Sequence, residues 1–461
     1  MLARINAAKA LGSRAVQLRG STRLQSIKAT DDAQRSGMLV RCVPGLEPVV
    51  WAELKRLRIR ATVTSPGLLA APRANMRQCY AANALLRGAS RVLVPACEFR
   101  ASSFSDMELA VKRLLRNEAL PSLLIPDAAL SIRVTASKAA ELWHTSAVAE
   151  RLSKMLGGSD APDAVTQRLE VHVKNERVQI WVDTSGAPLH GRGWRTEAAK
   201  MPLKESVAAG LLLAAGWGAT PEDSASLGGR WSALLDPFCG SGAIPIEAAL
   251  LALGQPPHAT SGRGFAFQAF PSFEPGTWAS VAATVEEQLA AVARRRLRPL
   301  PPIVASDRDA GAVSAARANA LRAGVEDLVE FQHCAISDAS PPDTGAGLLL
   351  SNPPWVGLRS ANAGGAKRDT RDLYARLGQV HGSRCEGWGL ALLTNDQSLA
   401  RQASPELRSA LPKSLSLGGQ RAWLMASPDV VDDEVMGGAH VRRLQQAGRG
   451  DARTVATAGS S

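Results

Sequence analysis

From Met38 onward, apolar runs alternate with polar turns in a way that changes character halfway along the chain. MLVRCVP reads as a strand, and Gly45-Leu46-Glu47-Pro48 opens a helix through VVWAELKRLRI. Short β-rich runs follow at ATVTSPGLLAAP and SRVLVPACEF, then a helix over about Asp106 to Arg116. Leu130 to Ser137 alternates as a strand does, and His144 to Leu156 has helical period. Leu169 to Gly186 reads as a hairpin turning near Lys174-Asn175-Glu176-Arg177. This half is therefore expected to be α+β.

A polar, Arg-rich link, Leu189 to Ser206, leads to a helix ending near Trp217 and a Gly/Ser stretch to Gly229. From Trp231 strands and helices alternate, with strands expected at WSALLDPF, PIVASD, LVEFQHC, GLLLSNPP and GLALLTN and helices between them. That pattern predicts an α/β, doubly wound parallel sheet. No internal repeat is evident.

Composition and charge refine this picture. Among 461 residues, Lys and Arg total 54 against 42 Asp and Glu, a formal net charge of +12 that favours a polyanionic partner. The six cysteines form no C-x-x-C pair and have no His at metal-ligand spacing, so zinc and a disulfide framework are not expected. The longest apolar stretch, Val207 to Ala219, falls short of the roughly 20 residues a bilayer span needs, so no membrane partner is expected. The first thirty residues carry Arg4, Lys9, Arg14, Arg19, Arg23 and Lys28 and no acid. Such a leader reads as an organelle transit peptide or as a disordered basic arm. The former places the protein in an organelle, chloroplast ahead of mitochondrion, and the latter in the cytoplasm. Residues 1–35 and 429–461 are set aside as disordered leader and tail.

Three segments carry candidate chemistry. In Asp236 to Leu250, DPFCGSGAIPIEAAL, an apolar strand ends in Asp236-Pro237, Gly240 and Gly242 make a tight turn, and a helix starts at Ala243. The turn lacks the third glycine of G-x-G-x-x-G and the Lys of a phosphate-binding loop, which points to a ligand without phosphate. In Ile303 to Gly324 a second strand ends in Asp307-Arg308, where a carboxylate can accept from both ribose hydroxyls of a nucleoside cofactor. About 65 residues separate Gly242 from Asp307, so the segment from about Gly254 to Pro302 is expected to be an insertion. Its Arg294, Arg295, Arg296 and Arg298 are open to two readings, RNA contact or a solvated helix end.

The third segment, LLLSNPPWVG, runs a buried strand into Asn352-Pro353-Pro354-Trp355. Two prolines fix the backbone and remove N–H donors, so the Pro353 carbonyl and the Asn352 side-chain oxygen can both accept. Two acceptors at one place suit an NH2 group, and Trp355 offers a flat surface for a base flipped out of its stack.

With these three segments in this order, the chain resembles the THUMP-domain RNA guanine 2-amino methyltransferases, more narrowly the bacterial enzymes that make 2-methylguanosine in large-subunit ribosomal RNA. The resemblance runs from about Met38 to Ala426 and rests on GRGWRTEAAKMPLKESVAAGLLLAAGW, DPFCGSG with IEAAL, SDRDAGAVSAARANALRAG and SNPPW, together with SRVLVPACEFRASS and WHTSAVAERL. It implies a class I, Rossmann-like methyltransferase domain over residues 230–428 that takes S-adenosyl-L-methionine. Before it would come a ferredoxin-like domain over 38–85, a THUMP RNA-binding domain over 86–188, and a linker with pre-loop helix over 189–229. On this resemblance Asp236, Pro237, Gly240 and Gly242 would line the methionine end of the cofactor. Asp307 and Arg308 would lie at its ribose, and Pro202, Lys204 and Glu205 would border it. Asn352, Pro353, Pro354 and Trp355 would hold the target base.

The chain departs from the family in three places. Ala335 stands where the family has an acid for the adenine amine, which leaves Asp338 or the backbone to hold it. Trp355 replaces a frequent Tyr. The segment after it, VGLRSANAGGAKRDTRD, is long and Gly-rich. Many bacterial relatives also carry a second methyltransferase domain, for which the chain ends too soon.

The expected reaction is in-line transfer to a guanine amine in RNA, in ribosomal RNA with transfer RNA as the alternative, by a monomer. Two rivals stay open, an adenine amino methyltransferase and a non-catalytic RNA-binding assembly factor. Cys239 as a nucleophile for pyrimidine methylation is disfavoured by its place in the cofactor turn.

Overall fold

The computed structural model describes residues 37–117, 119–137, 142, 144–196, 202–218, 229–259, 261–356 and 366–430. The expected leader lies outside the described residues, as do the tail beyond residue 430 and most of the Gly-rich segment after Trp355.

The first half is built on one seven-stranded sheet. In chain order its elements are β1 (Met38–Cys42), α1 (Glu47–Arg56), β2 (Thr62–Ser65), β3 (Leu68–Ala71), α2 (Met76–Leu85), β4 (Ala89–Arg100), α3 (Phe104–Leu114), β5 (Ala129–Ala136), α4 (Thr145–Leu156), β6 (Thr166–Lys174) and β7 (Arg177–Asp183). The strand order is β2-β3-β1-β4-β7-β6-β5. The twelve-residue β4 lies wholly beyond the expected boundary at residues 85/86, yet its start pairs with β1 from before that boundary and its end with β7 from after it. Pro95 lies where the β4–β7 register shifts, since proline has no N–H to give the ladder. The β6–β7 hairpin turns on Asn175 and Glu176, both at positive φ (48° and 60°), the backbone a two-residue hairpin turn demands. Helix α2, not anticipated from its pattern, is started by a capping box between Asn75 and Gln78.

The second half comprises α5 (Glu205–Ala214), β8 (Leu234–Asp236), α6 (Ala243–Ala252), α7 (Pro275–Arg295), β9 (Ile303–Asp307), α8 (Ala310–Ala323), β10 (Val329–His333), β11 (Leu348–Ser351), α9 (Ala366–Arg384), β12 (Gly389–Thr394), α10 (Gln397–Ala403), β13 (Arg408–Ser409), β14 (Leu415–Leu417) and β15 (Gln420–Ala426). Its sheet runs β10-β9-β8-β11-β12-β15-β13. The five strands from β10 to β12 are mutually parallel, and β15 is antiparallel to β12. Strands β11 and β12 are buried at every residue, which is why they read as continuous apolar runs. Chain order reverses between β8 and β11, the kind of switch point at whose carboxyl ends open α/β sheets bind ligands. One expectation fails: residues 334–347, between β10 and β11, form turns and no helix.

The Arg-rich segment expected as a link is, over its described residues 189–196, a strap anchored between the halves by buried side chains. Arg192 and Trp194 are each 1% exposed. The Arg192 guanidinium lies 3.3 Å from Glu247 of α6 and donates to the carbonyl of Arg87, 2.6 Å away. Arg87 also approaches Glu247, at 3.5 Å, and Glu53 of α1 accepts from the backbone N–H groups of Arg87 and Gly88. Buried charges demand partners, and here the partners come from both halves.

The insertion docks on the first half as well. Tyr80 of α2 stacks on Phe267 with centroids 4.2 Å apart, and Trp278 of α7 meets that pair edge-on. Of the arginines at its end, Arg295 donates to the Leu253 carbonyl and Arg296 pairs with Asp327 at 2.9 Å, while Arg294 and Arg298 are exposed.

Candidate active site

Strand β8 ends in Asp236, 1% exposed. Its Oδ1 accepts from the Phe238 N–H and from the Ser351 hydroxyl, and its Oδ2 is buried without a partner. Burial pushes the carboxyl up to about 7, against the two hydrogen bonds that favour its ionised form; the nearby Asp307 pushes the same way as burial. A buried carboxylate oxygen aimed at no protein group suits a cationic ligand such as the ammonium of a methionine moiety.

The two glycines of the next turn serve different ends. Gly242, at φ 88°, caps α6, and a Cβ there would meet Ile246 and Ala316 at 3.0 and 3.1 Å. It lets α6 pack against α8. Gly240, at φ 52°, faces open space, since a Cβ there would meet nothing within 4 Å. Its N–H donates to Asp307 Oδ2 over 3.0 Å, while Asp307 Oδ1 accepts from the Asp309 N–H at 3.0 Å. The second strand end is thus tied to the first, with a half-buried carboxylate between them. Asn319 of α8, fully buried, donates to the Ser241 carbonyl at 3.0 Å and accepts from Arg322 at 2.6 Å, fixing the turn from behind.

The tetrapeptide completes the site. Leu348 and Leu349 pair with Leu234 and Leu235, so the β11 register continues to set Asn352 beside the residues that follow Asp236. The Ser351–Asp236 bond closes the same junction. Asn352, Pro354 and Trp355 are half-buried and Pro353 is buried. The Trp355 indole N–H donates to Asn352 Oδ1 at 2.9 Å, so this oxygen, expected as a free acceptor, has one of its two lone pairs engaged within the motif. Beyond it, Asn395 at the end of β12 accepts from the Val356 N–H at 3.1 Å and donates to the Val356 carbonyl at 3.0 Å.

The remaining expected residues are placed less centrally. Pro237 is buried at the turn, and Pro202 and Lys204 are exposed ahead of α5. Glu205 is buried at the start of α5 and faces Arg195 at 3.4 Å; burial raises its carboxyl in spite of that charge. Arg308 is exposed, its carbonyl meeting His333 at 3.1 Å, and Asp338 is exposed in a turn that its N–H closes onto Ala335. Cys239 is buried, and burial together with Asp236 and Asp307 drives its thiol well above the ordinary range, which removes it as a nucleophile. Ser351, Asn319 and Asn395 were missed. Only the polar break before Asn352 in LLLSNPPW hinted at Ser351.

An open, mostly parallel sheet with a Gly turn after its first strand, an acid after its second and Asn-Pro-Pro-Trp after its fourth has the architecture of a class I, Rossmann-like methyltransferase fold. The comparisons agree and narrow this. Residues 192–413 match the family described as RMKL-like, methyltransferase domain, and the segment before them begins with a match to the RlmL ferredoxin-like domain over residues 38–93.

Similar proteins include the "Ribosomal RNA large subunit methyltransferase K/L" of Syntrophotalea carbinolica, 34% identical over 370 residues, covering 77% of this chain and 49% of the relative. The protein of that name in Legionella pneumophila is 30% identical, covering 79% and 49%. The chain thus spans about half the length of these curated relatives. Among solved structures, a predicted N6-adenine-specific DNA methylase from Listeria monocytogenes aligns with TM-score 0.65 at 26% identity, over 85% of this chain and 96% of that one. SMU.472, a putative methyltransferase complexed with SAH, aligns with TM-score 0.68 at 23% identity, over 85% and 97%.

Proposed function

We propose that this protein methylates the exocyclic 2-amino group of a guanosine in large-subunit ribosomal RNA. The observation that carries the reading is the Ser351–Asp236 bond, which binds the Asn352–Trp355 segment to the cofactor turn. The K/L relatives, named for large-subunit ribosomal RNA, and the net charge of +12 support RNA as substrate.

The cofactor residues fit their group. Asp236 would take the ammonium, Gly240 would let the ligand approach the backbone, and Asp307 would accept from ribose hydroxyls. When bound, S-adenosyl-L-methionine supplies an electrophilic methyl group. The chain's own residues do the rest. Asn352 Oδ1, through the lone pair Trp355 leaves free, and the Pro353 carbonyl accept the two amine protons and turn the nitrogen lone pair out of conjugation. Trp355 flanks the base. Holding the amine in line does most of the work, and no strong base is needed because the nitrogen becomes acidic on alkylation.

We read residues 86–188 as the THUMP module that grips RNA by shape and backbone, and residues 1–35 as an organelle transit peptide, chloroplast before mitochondrion. Fusing that leader to a fluorescent protein tests the latter. For the reaction, Asn352→Ala should abolish transfer of labelled methyl to ribosomal RNA while leaving S-adenosylhomocysteine binding intact; substantial turnover would defeat the mechanism. Label entering DNA and not RNA would favour the adenine reading. Mass spectrometry of nucleosides from cells lacking the protein identifies the product.

A further inference from the structure

In the part of the first sheet formed by β4, β7, β6 and β5, side chains of alternate parity face opposite sides, and near the β6–β7 turn one of those sides is open to solvent. Leu169, Val171 and Val173 of β6 and Val178, Ile180 and Val182 of β7 join the core on the side of α3 and α4. Residues of the other parity face away from it. There Arg100 of β4 stands opposite Arg177 of β7, and Arg177 opposite Lys174 of β6. All three are exposed, as is Arg133 on β5.

The carboxylates among the described strand residues of this face, Glu98, Glu170 and Asp183, are all engaged, Asp183 by Arg91. Glu98 accepts from Arg177 at 2.5 Å and Gln179 at 2.7 Å. Glu170, 1% exposed, is approached by Arg41, by Arg168 at 3.6 Å and by His172 at 3.8 Å. Burial alone would raise the Glu170 carboxyl, but the His172 hydrogen bond and the charges of Arg41 and Arg168 hold it at about 2. The face is therefore electropositive around its own acids.

Like charges directly opposite on neighbouring strands destabilise a sheet. Arg100, Arg177 and Lys174 set cations opposite one another twice in one row, with Glu98 offsetting Arg177 from within the sheet. An anion bridging the row adds to that offset. The row also lines a concavity of about 480 Å³ with His172, Asn175 and Gln179, which add hydrogen-bonding groups beside the charges.

We propose that this concave, cationic end of the sheet is a docking site for the phosphate backbone of the substrate RNA, in a different domain from the methyl-transfer site. The inference rests on the reading of the substrate as RNA. The row spans two strand spacings, about 10 Å, and offers charge and amides without base-edge geometry, so it grips without reading sequence.

The test uses the full chain and transcribed large-subunit ribosomal RNA. In R100Q/K174Q/R177Q, all at exposed positions, the RNA Kd should rise at least tenfold at physiological salt. The plot of log affinity against log salt should become shallower by about 2–3, the loss of three phosphate contacts. Binding of S-adenosylhomocysteine should be unchanged. If the wild-type protein binds RNA and the variant matches it in Kd and slope, the docking site is wrong while the RNA reading stands. If the wild-type protein takes S-adenosylhomocysteine but no RNA, the RNA reading fails and the docking site with it. If the variant keeps RNA binding but loses adsorption to anionic phospholipid vesicles, the face belongs to a lipid surface and the proposal is overturned.

Discussion

The Ser351 hydroxyl donates to the Asp236 carboxylate, joining the end of β11 to the end of β8. The two residues lie 115 positions apart in sequence. They meet because β11 pairs directly with β8 at the point where strand order reverses. The Asn-Pro-Pro-Trp segment and the Gly turn thereby share one buried hydrogen bond. Ser351→Ala should cost about 1–3 kcal/mol of stability, since it strips a donor from a buried carboxylate. Urea denaturation measures this, and an unchanged midpoint would show that the bond contributes nothing.

The Asp236 carboxyl, lifted to about 7 in the fold from an ordinary 3.8, sets a pH dependence. Between those values the folded chain holds a proton that the unfolded chain has released. Stability should therefore fall as pH rises from about 4 to 7 and level off above, and Asp236→Asn should flatten that slope. A cationic ammonium favours the ionised form, so binding of S-adenosylhomocysteine should strengthen by up to about tenfold per pH unit on approaching 7. Calorimetry in buffers of different ionisation enthalpy would show a proton released on binding below pH 7, and none in the variant.

Trp355 does more than offer a ring. Its N–H holds Asn352 Oδ1 at 2.9 Å and so fixes the carboxamide. Trp355→Phe keeps an aromatic surface and removes the donor. It should lower kcat about tenfold, the worth of one hydrogen bond, with little change in the KM for RNA. Trp355→Ala should raise KM as well. Equal kcat for wild type and Trp355→Phe would leave the ring as the only contribution.

The strap makes a stability prediction. Arg192→Met leaves Glu247, 0% exposed, with Arg87 at 3.5 Å as its remaining ion-pair partner among the described residues. Loss of one member of a buried charge network should cost about 3–5 kcal/mol. Adding Glu247→Gln should recover part of this, so the double variant should be less unstable than the sum of the singles. Strict additivity in chemical denaturation would show that the pair is not coupled.

Much of the site was legible because its parts are local. Asp236, the glycines, Asp307 and Asn352-Pro353-Pro354-Trp355 each sit at a strand end, where an apolar run meets turn residues, and that junction is written in consecutive positions. Strands β8 to β12 were legible for the same reason. Helix α2 was not, because its apolar residues show weak periodicity; the Asn75–Gln78 capping pair was the usable signal. The strap was misread as a link because arginines normally mark solvent. What buries Arg192 is a carboxylate 55 residues away.

The sequence by itself determined the two kinds of architecture, the order of the strands along the chain and the chemistry at their ends, because short-range periodicity and backbone constraints act between near neighbours. Only the tertiary structure decided that β4 runs through both parts of the first half, that Ser351 meets Asp236, that Trp355 takes a lone pair of Asn352, and that three cations line up across β4, β7 and β6. Each depends on register or burial between distant segments, and those follow from how the whole chain packs its apolar surface and partners its buried charges.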